Sequence, residues 1–323
     1  MKNITYPAVI ILSLCVVIIS PFVGIQEIGF KDIFADNTAG EIFRKIRLPR
    51  VLMSFIAGCA LSAGGVVFQA MFKNPIATPF TLGVSSGASL GAAIYFFMGF
   101  STVISGFFGG AVFALAGALL STIIVYLTAS AIGRKSDSSM LLVGVALNFL
   151  CSGLIMFIQY SVDLISANRI MYYMIGSLSG ADLTSAMAML PPVLVGCVII
   201  ITMRRELDLL AAGEETAAAR GVNTGYVSAI LYFTVSVMIG CVVSLCGPIG
   251  FVGMMAPHIC RLLTGASNMK LTPIAIIFGG AFLTICDTAA RVMIAPSEMP
   301  VGIITSLLGA PFFIFLIIKN KKI

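Results

Sequence analysis

An all-α, polytopic integral membrane protein of about ten transmembrane helices, one of them short or broken, is the fold class the sequence predicts. Three observations predict it. Long apolar runs recur along the whole chain of 323 residues, 59% of it hydrophobic. Only 10% of residues are charged, far fewer than a soluble fold of this size places on its surface, and the mean hydropathy is +1.09. Small residues also recur at helix-packing intervals, notably Gly83, Gly87 and Gly91, and again Gly106 and Gly110. No internal repeat or low-complexity linker divides the chain, so a single transmembrane domain over 1–323 is expected.

Each span follows from a run. The opening "MKNITYPAVIILSLCVVIISPFVG" starts basic and turns apolar, like a signal peptide. Its apolar stretch is long and lacks a small-x-small cleavage site, so it reads as an uncleaved first span at roughly 7–23. The next five fall at roughly 51–72, 80–98, 103–129, 140–160 and 186–203. Four more follow at roughly 227–246, 250–263, 271–293 and 301–318. The eighth is too short to cross about 30 Å of hydrocarbon at about 1.5 Å per residue. The "CGPIGFVG" before it cannot be regular helix interior. Irregular backbone at that depth must be buried in protein or line a cavity, so a broken helix is expected there.

Lys and Arg set the orientation. With the N-terminus inside, inner segments hold twelve of them and outer segments seven, which predicts both termini in the cytoplasm. Against the rule, Lys31, Arg44, Lys45, Arg47 and Arg50 crowd the first external loop; Arg169 and Arg291 complete the outer set. The net charge of +6 is thus a matter of topology and not of nucleic-acid binding. Eight cysteines lie in or beside apolar runs with no Cys-x-x-Cys pair, so they read as small buried hydrophobes and no metal site is expected. The seventeen methionines read as span filler.

Several chemistries are excluded. No G-x-x-x-x-G-K-[ST] is present, so the chain has no P-loop with which to cradle ATP, and no cofactor of its own is expected. Intramembrane carboxylates, the usual proton or sodium relays, are nearly missing. Asp287 is the main exception, and Arg291 four residues on neutralises it in a favourable helix pair. Gradient-driven secondary transport is therefore weakly supported. "GVSSG" (83–87) fits G-x-S-x-G, but its glycines belong to a packing ridge rather than a strand-turn-helix elbow. Hydrolysis at Ser85 or Ser86 is accordingly not expected, and the chain does not read as an enzyme. His258, the only histidine, excludes a two-histidine metal motif and reads as a structural hydrogen-bonding group.

One polar segment stands out between two apolar runs: "RRELDLLAAGEETAAARGVNTG", from Arg204 to Gly225. Glu214 and Glu215 would sit in a first helical turn, complementing the positive end of the dipole. Arg220 would sit at the negative end, and Gly221 supplies a left-handed stop. Two short helices joined by a turn would present acid and base to the cytoplasm as a docking knob; an ordinary solvated loop is the alternative.

Here the sequence resembles a family. Gly213–Val222 is similar to the coupling segment of bacterial ABC-importer permeases of the iron-siderophore, haem and cobalamin class. "RLPRVLMSFIAGCALSAGGVVFQAMFKNPIATPFTLGVSSGASLGA" (47–92) resembles that family's opening block, and "GPIGFVGMMAPHICRLLTG" (247–265) its short-helix block. "DTAARVMIAPSEMPVGIITSLLGAPFFIFLI" (287–317) resembles its closing pair of spans. In "MYYMIGSLSGADL" (171–183), tyrosines stand where the family usually has tryptophan. The resemblance implies a dimer of permeases in the bacterial cytoplasmic membrane, homodimeric or paired with a paralogue. Two ATPase subunits bind the ATP, and an extracytoplasmic binding protein delivers the cargo. A ferric siderophore is the expected cargo, with haem or cobalamin as alternatives. Gly213, Glu214, Glu215, Arg220 and Gly221 would form the ATPase contact. Arg47, Arg50 and Arg291 would face the exterior and dock carboxylates of the binding protein, which accounts for the charge anomaly. In "RKSDSSMLL" (134–142), Ser138 and Ser139 would approach their copies at the dimer axis, with Asn148 deeper along the pathway.

Overall fold

The computed structural model describes residues 2–26, 28–34, 37–99, 107–131, 137–294 and 297–320. Gly106, Arg134, Lys135 and Pro296 lie outside the described residues, as does the side chain of Ser138.

The first span is α1 (Lys2–Ile19), which runs into a 3-10 turn at Ser20–Phe22. The charged segment after it is folded: a 3-10 helix at Phe30–Phe34 precedes α2 (Thr38–Ile42), whose N-terminus Asn37 caps by accepting from the Gly40 N–H. A π-helical turn at Phe43–Arg47 joins α2 directly to α3 (Leu48–Met71). The second span therefore begins well before residue 51, in one helical run over Thr38–Met71. Next come α4 (Val84–Phe97), α5 (Phe107–Ala131) and α6 (Asp137–Ser161).

An element the sequence reading missed follows, the amphipathic α7 (Leu164–Ile175). Asp163 caps it by accepting from the N–H groups of Ile165 and Ser166. Asp182 likewise caps α8 (Leu183–Thr202) through Ser185. Hydrogen bonding with Ser166 and Ser185 respectively holds these two carboxyls below their ordinary range. The chain continues through α9 (Arg204–Ala212), α10 (Glu214–Ala219), α11 (Thr224–Cys246) and α12 (Val252–Thr264). It closes with α13 (Asn268–Val292) and α14 (Val301–Asn320).

Among the described residues, six helical runs are long and apolar enough to cross a membrane, and α1, α4 and α14 supply shorter apolar stretches. With the 13-residue α12, these make the expected ten. The break before α12 falls at residues 247–251, where Gly247 and Phe251 both take positive φ, 69° and 66°.

Small residues decide which helices touch. A Cβ on Gly58 would lie 2.3 Å from the Gly279 carbonyl oxygen, and one on Gly65 would lie 1.7 Å from that of Gly253, so α3 meets α13 and α12 backbone to backbone. The Ser62 hydroxyl donates to the Ala275 carbonyl at 2.6 Å across the same seam. Likewise α4 meets α5, with Gly87 against Gly117 and Gly91 against Phe113. The expected glycine ridge is real but shorter: Gly83 is not on the α4 face. It sits at the N-cap with φ 84° and faces Leu147 of α6. Because water is absent from a bilayer, apolar contact alone gives helices little reason to associate, and close backbone approach supplies the packing.

Candidate functional site

The polar segment folds as the two short helices its residues predict. Gly213, at φ 130°, turns the chain from α9 into α10. Glu214 and Glu215 occupy the first turn of α10. At its other end the Arg220 and Val222 N–H groups both donate to the Ala217 carbonyl, and the Gly221 N–H donates to Ala218. That closure requires Gly221 at φ 83°, a conformation a side chain disfavours. Ala217 is buried, while Glu214, Glu215, Arg220 and Gly221 are exposed, so α10 is seated on the bundle with its charges outward. Leu207 and Leu210 seat α9 in the same way. Asp208, between them, accepts from the Ser267 hydroxyl at 2.9 Å and from the Asn268 N–H at 2.6 Å. Nothing local in the sequence marks that contact.

At the opposite end of α13 lies a cluster of five charged side chains. Arg50 Nε sits 3.0 Å from both oxygens of Asp287, and its Nη1 donates to Glu298 at 2.5 Å. Arg291 Nε is 3.5 Å from the same Asp287, and its Nη2 donates to Thr288 and to the carbonyl and hydroxyl oxygens of Ser20. Arg47 donates to the carbonyls of Pro21, Phe22 and Gln26.

The expectation that Arg47, Arg50 and Arg291 display their guanidiniums is therefore corrected. They are 6%, 2% and 6% exposed. A buried cation needs a carboxylate or several carbonyls around it, and here those groups come from the chain itself. Pairing of Asp287 with Arg291 was legible at i,i+4; the closer partner Arg50, whose Nε–H is shared between both carboxylate oxygens, was not. Glu298, at 43% exposure, is the one member of the cluster that reaches the surface.

The other expected positions are also internally engaged. Asn148, half-buried, accepts from Ser86 at 2.6 Å and donates to the Phe80 carbonyl at 2.9 Å, so its amide ties α6 to the start of α4. Ser86, considered as a nucleophile, is held in that bond. Ser139 is half-buried at the start of α6. Both ring nitrogens of His258 lack a hydrogen-bond partner among the described residues; the ring packs edge-on to Phe312, 6.0 Å away, so the expected structural hydrogen bond is corrected. Tyr173, one of the tyrosines of 171–183, donates its hydroxyl to the Val243 carbonyl at 2.6 Å.

Near Tyr173 three elements converge on glycine. Gly302 donates its N–H to the Gly176 carbonyl, and Ser177 donates to Cys246, joining α7, the 247–251 break and the start of α14. An open groove beside this joint is lined by Phe80, Met174, Ile175, Pro248, Ile303 and Ser306 among others, with no charged residue among the described ones.

Comparison with known proteins agrees with this geometry over nearly the full chain. The hemin transport system permease protein HmuU of Yersinia pestis is 34% identical over 303 residues, covering 93% of this chain and 90% of that protein. The vitamin B12 import system permease protein BtuC of Shigella boydii is 36% identical over 315 residues, covering 97% and 94%. A solved structure described as a metal-chelate type ABC transporter, in an inward-facing conformation, superposes with a TM-score of 0.87 at 27% identity, covering 99% of this chain and all of that one. The FecCD transport family matches residues 10–319, and with relatives 34–36% identical over nearly its full length the chain belongs to that family as an ABC importer permease.

Proposed function

We propose that this permease, paired with a second copy or a paralogue, carries a ferric siderophore or related iron chelate across the bacterial cytoplasmic membrane. Separate ATPase subunits seated on α9 and α10 drive it, and both termini lie on their side. The observation that supports the ATP-driven part of the reading is the α9–α10 pair, which buries Leu207, Leu210 and Ala217 and leaves Glu214, Glu215 and Arg220 outward for a partner. The family's membership among ABC importers replaces the gradient-driven alternative.

Haem and cobalamin are equally open as cargo, because relatives named for each share this chain's family. HmuU and BtuC are named for those two cargoes. Purified permease, reconstituted with its ATPase and binding protein, distinguishes the three. Stimulation of ATP hydrolysis by ferric siderophores supports the proposal; stimulation by haem or cobalamin alone replaces it.

On the outer face, docking of the binding protein works through the arginine cluster by exchange. Arg50 is covered by Glu298, whose carboxylate is partly exposed and stands where a partner's carboxylate would bind. Incoming Glu or Asp side chains displace Glu298 and inherit its place, with Arg47 and Arg291 holding the surrounding backbone. Docking then weakens as salt rises. Glu298→Gln should tighten docking, and unchanged, salt-independent docking in that variant counts against the exchange.

A further inference from the structure

The α9 helix and α13 are tied by a contact with an unusual division of labour. Ser267 occupies the N-cap position of α13, yet its side chain makes no capping bond to its own helix. Instead its hydroxyl donates to Asp208 on α9, and the same carboxylate accepts from the buried first N–H of α13, at Asn268. A helix N-terminus presents unpaired N–H groups and a positive dipole end, and a carboxylate is the side chain that satisfies both. Here the cap is supplied from the coupling segment rather than from α13. Both bonds are charge-assisted and converge on one side chain, so they fix direction as well as distance.

What α13 carries makes the contact consequential. Its middle packs backbone to backbone on α3 through Gly58 and Gly279, with the bond from Ser62 to Ala275 across the same seam. Nineteen residues beyond Asn268, roughly 28 Å at 1.5 Å per residue, Asp287 holds Arg50, which in turn holds Glu298 just ahead of α14. The cytoplasmic knob and the outer charge cluster are thus ends of one rod.

We propose that Asp208 is the positioning residue that couples the ATPase-driven movement of α9 and α10 to α13, and through it to the outer end of α14. The proposal rests on the reading of α9 and α10 as the ATPase seat. In this view, the buried Leu207 and Leu210 hold α9 against the bundle, while Asp208 transmits force along the α13 axis. Apolar contacts can slide; a carboxylate shared between a hydroxyl and a backbone N–H cannot slide without breaking both bonds.

The test compares substrate uptake with ATP hydrolysis in proteoliposomes holding the whole importer. Asp208→Ala should leave ATPase assembly and hydrolysis in place while uptake per ATP falls about tenfold, a coupling change of ordinary allosteric size. Asp208→Asn, which keeps an acceptor but loses the charge, should fall between. Asp208→Cys with Ser267→Cys should regain uptake per ATP when oxidised and lose it when reduced, which a merely structural role would not produce. An unchanged ratio in Asp208→Ala, or a double cysteine variant indifferent to oxidation, overturns the latch. If the alanine variant does not assemble, the double cysteine variant alone decides. Cross-linking of the ATPase to α10 is followed in parallel. Its absence in the native protein would mean that the coupling reading has failed, whereas its presence with an unchanged ratio means that only the role of Asp208 has.

Discussion

The helical run of residues 38–71 and α6 both contain an apolar stretch long enough to cross a bilayer, yet 89% of that stretch is buried within the subunit in the first and 22% in the second. Apolar content measures compatibility with lipid. It does not say whether a helix meets lipid or protein. What separates the two is small residues: α3 presents Gly58, Ser62 and Gly65 to its neighbours, while α6 turns Leu142, Phe149, Met156 and Phe157 outward. Where backbones meet, polar side chains can also be buried, because partners come within reach; Ser54 of α3 thus finds Thr284 of α13 at 3.0 Å.

The same substitution placed on each helix gives the largest contrast. A leucine at Gly65 would drive its Cβ to within 1.7 Å of the Gly253 carbonyl, and backbone cannot yield as a side chain does. The cost exceeds the ~1–3 kcal/mol of ordinary overpacking, so Gly65→Leu should leave little folded protein in the membrane fraction. Gly153 on α6 has nothing within 4 Å of its ideal Cβ, and Gly153→Leu should accumulate normally. Equal loss of both variants would break the comparison.

Next in size is the charge cluster that the buried helix supports. Arg50→Ala leaves Asp287, 1% exposed, with Arg291 at 3.5 Å as its remaining described cation. Removing one partner of a buried pair costs about 3–5 kcal/mol, which should show as a clear drop in thermal stability of the purified protein. Arg50→Met combined with Asp287→Leu should recover only part of that loss, since it leaves Arg291, 6% exposed, without its carboxylate.

This cluster also marks where the sequence stopped being informative. The spans were legible because each is a local property of consecutive residues, and so were the short helices α9 and α10, whose end charges and glycines lie within one short segment. The partners of Arg50 are 237 and 248 residues away, and those of Asp208 are 59 and 60 away, so no spacing rule connects them. Positive charge at an outer helix end reads as display until the carboxylates that bury it are found. The missed α7 had one local signal, Asp163 ahead of "LISANRI". Asn148 was placed on the correct helix; which way its amide turned depended on the Phe80 carbonyl and Ser86, far off in sequence.

A smaller effect is expected at Gly221, which resembles neither helix: it is exposed, and nothing lies within 4 Å of an added Cβ. Only its φ of 83° resists a side chain. Gly221→Val should therefore cost ~1–2 kcal/mol locally, with the bundle intact and uptake reduced. Normal uptake by a fully assembled importer carrying that change would remove the coupling role from this turn.

The smallest effect on the subunit itself belongs to the exposed face of α6, and it sharpens the comparison most. Phe149 is 76% exposed and Phe157 67%, so truncating either to alanine removes few contacts within the subunit and should shift its stability by less than ~0.5 kcal/mol. If that face meets only lipid, nothing else changes. A face that meets a second permease behaves differently, because the same large side chains then fill the gap between two copies. Ser139, half-buried, stands at the start of the same helix. Ser139→Cys should cross-link two permeases under mild oxidation in at least one nucleotide state, and Phe149→Ala should lower the yield without lowering the amount of folded protein. Cross-linking that never occurs in any nucleotide state would place the dimer axis on another helix, and α6 would then be exposed for lipid alone.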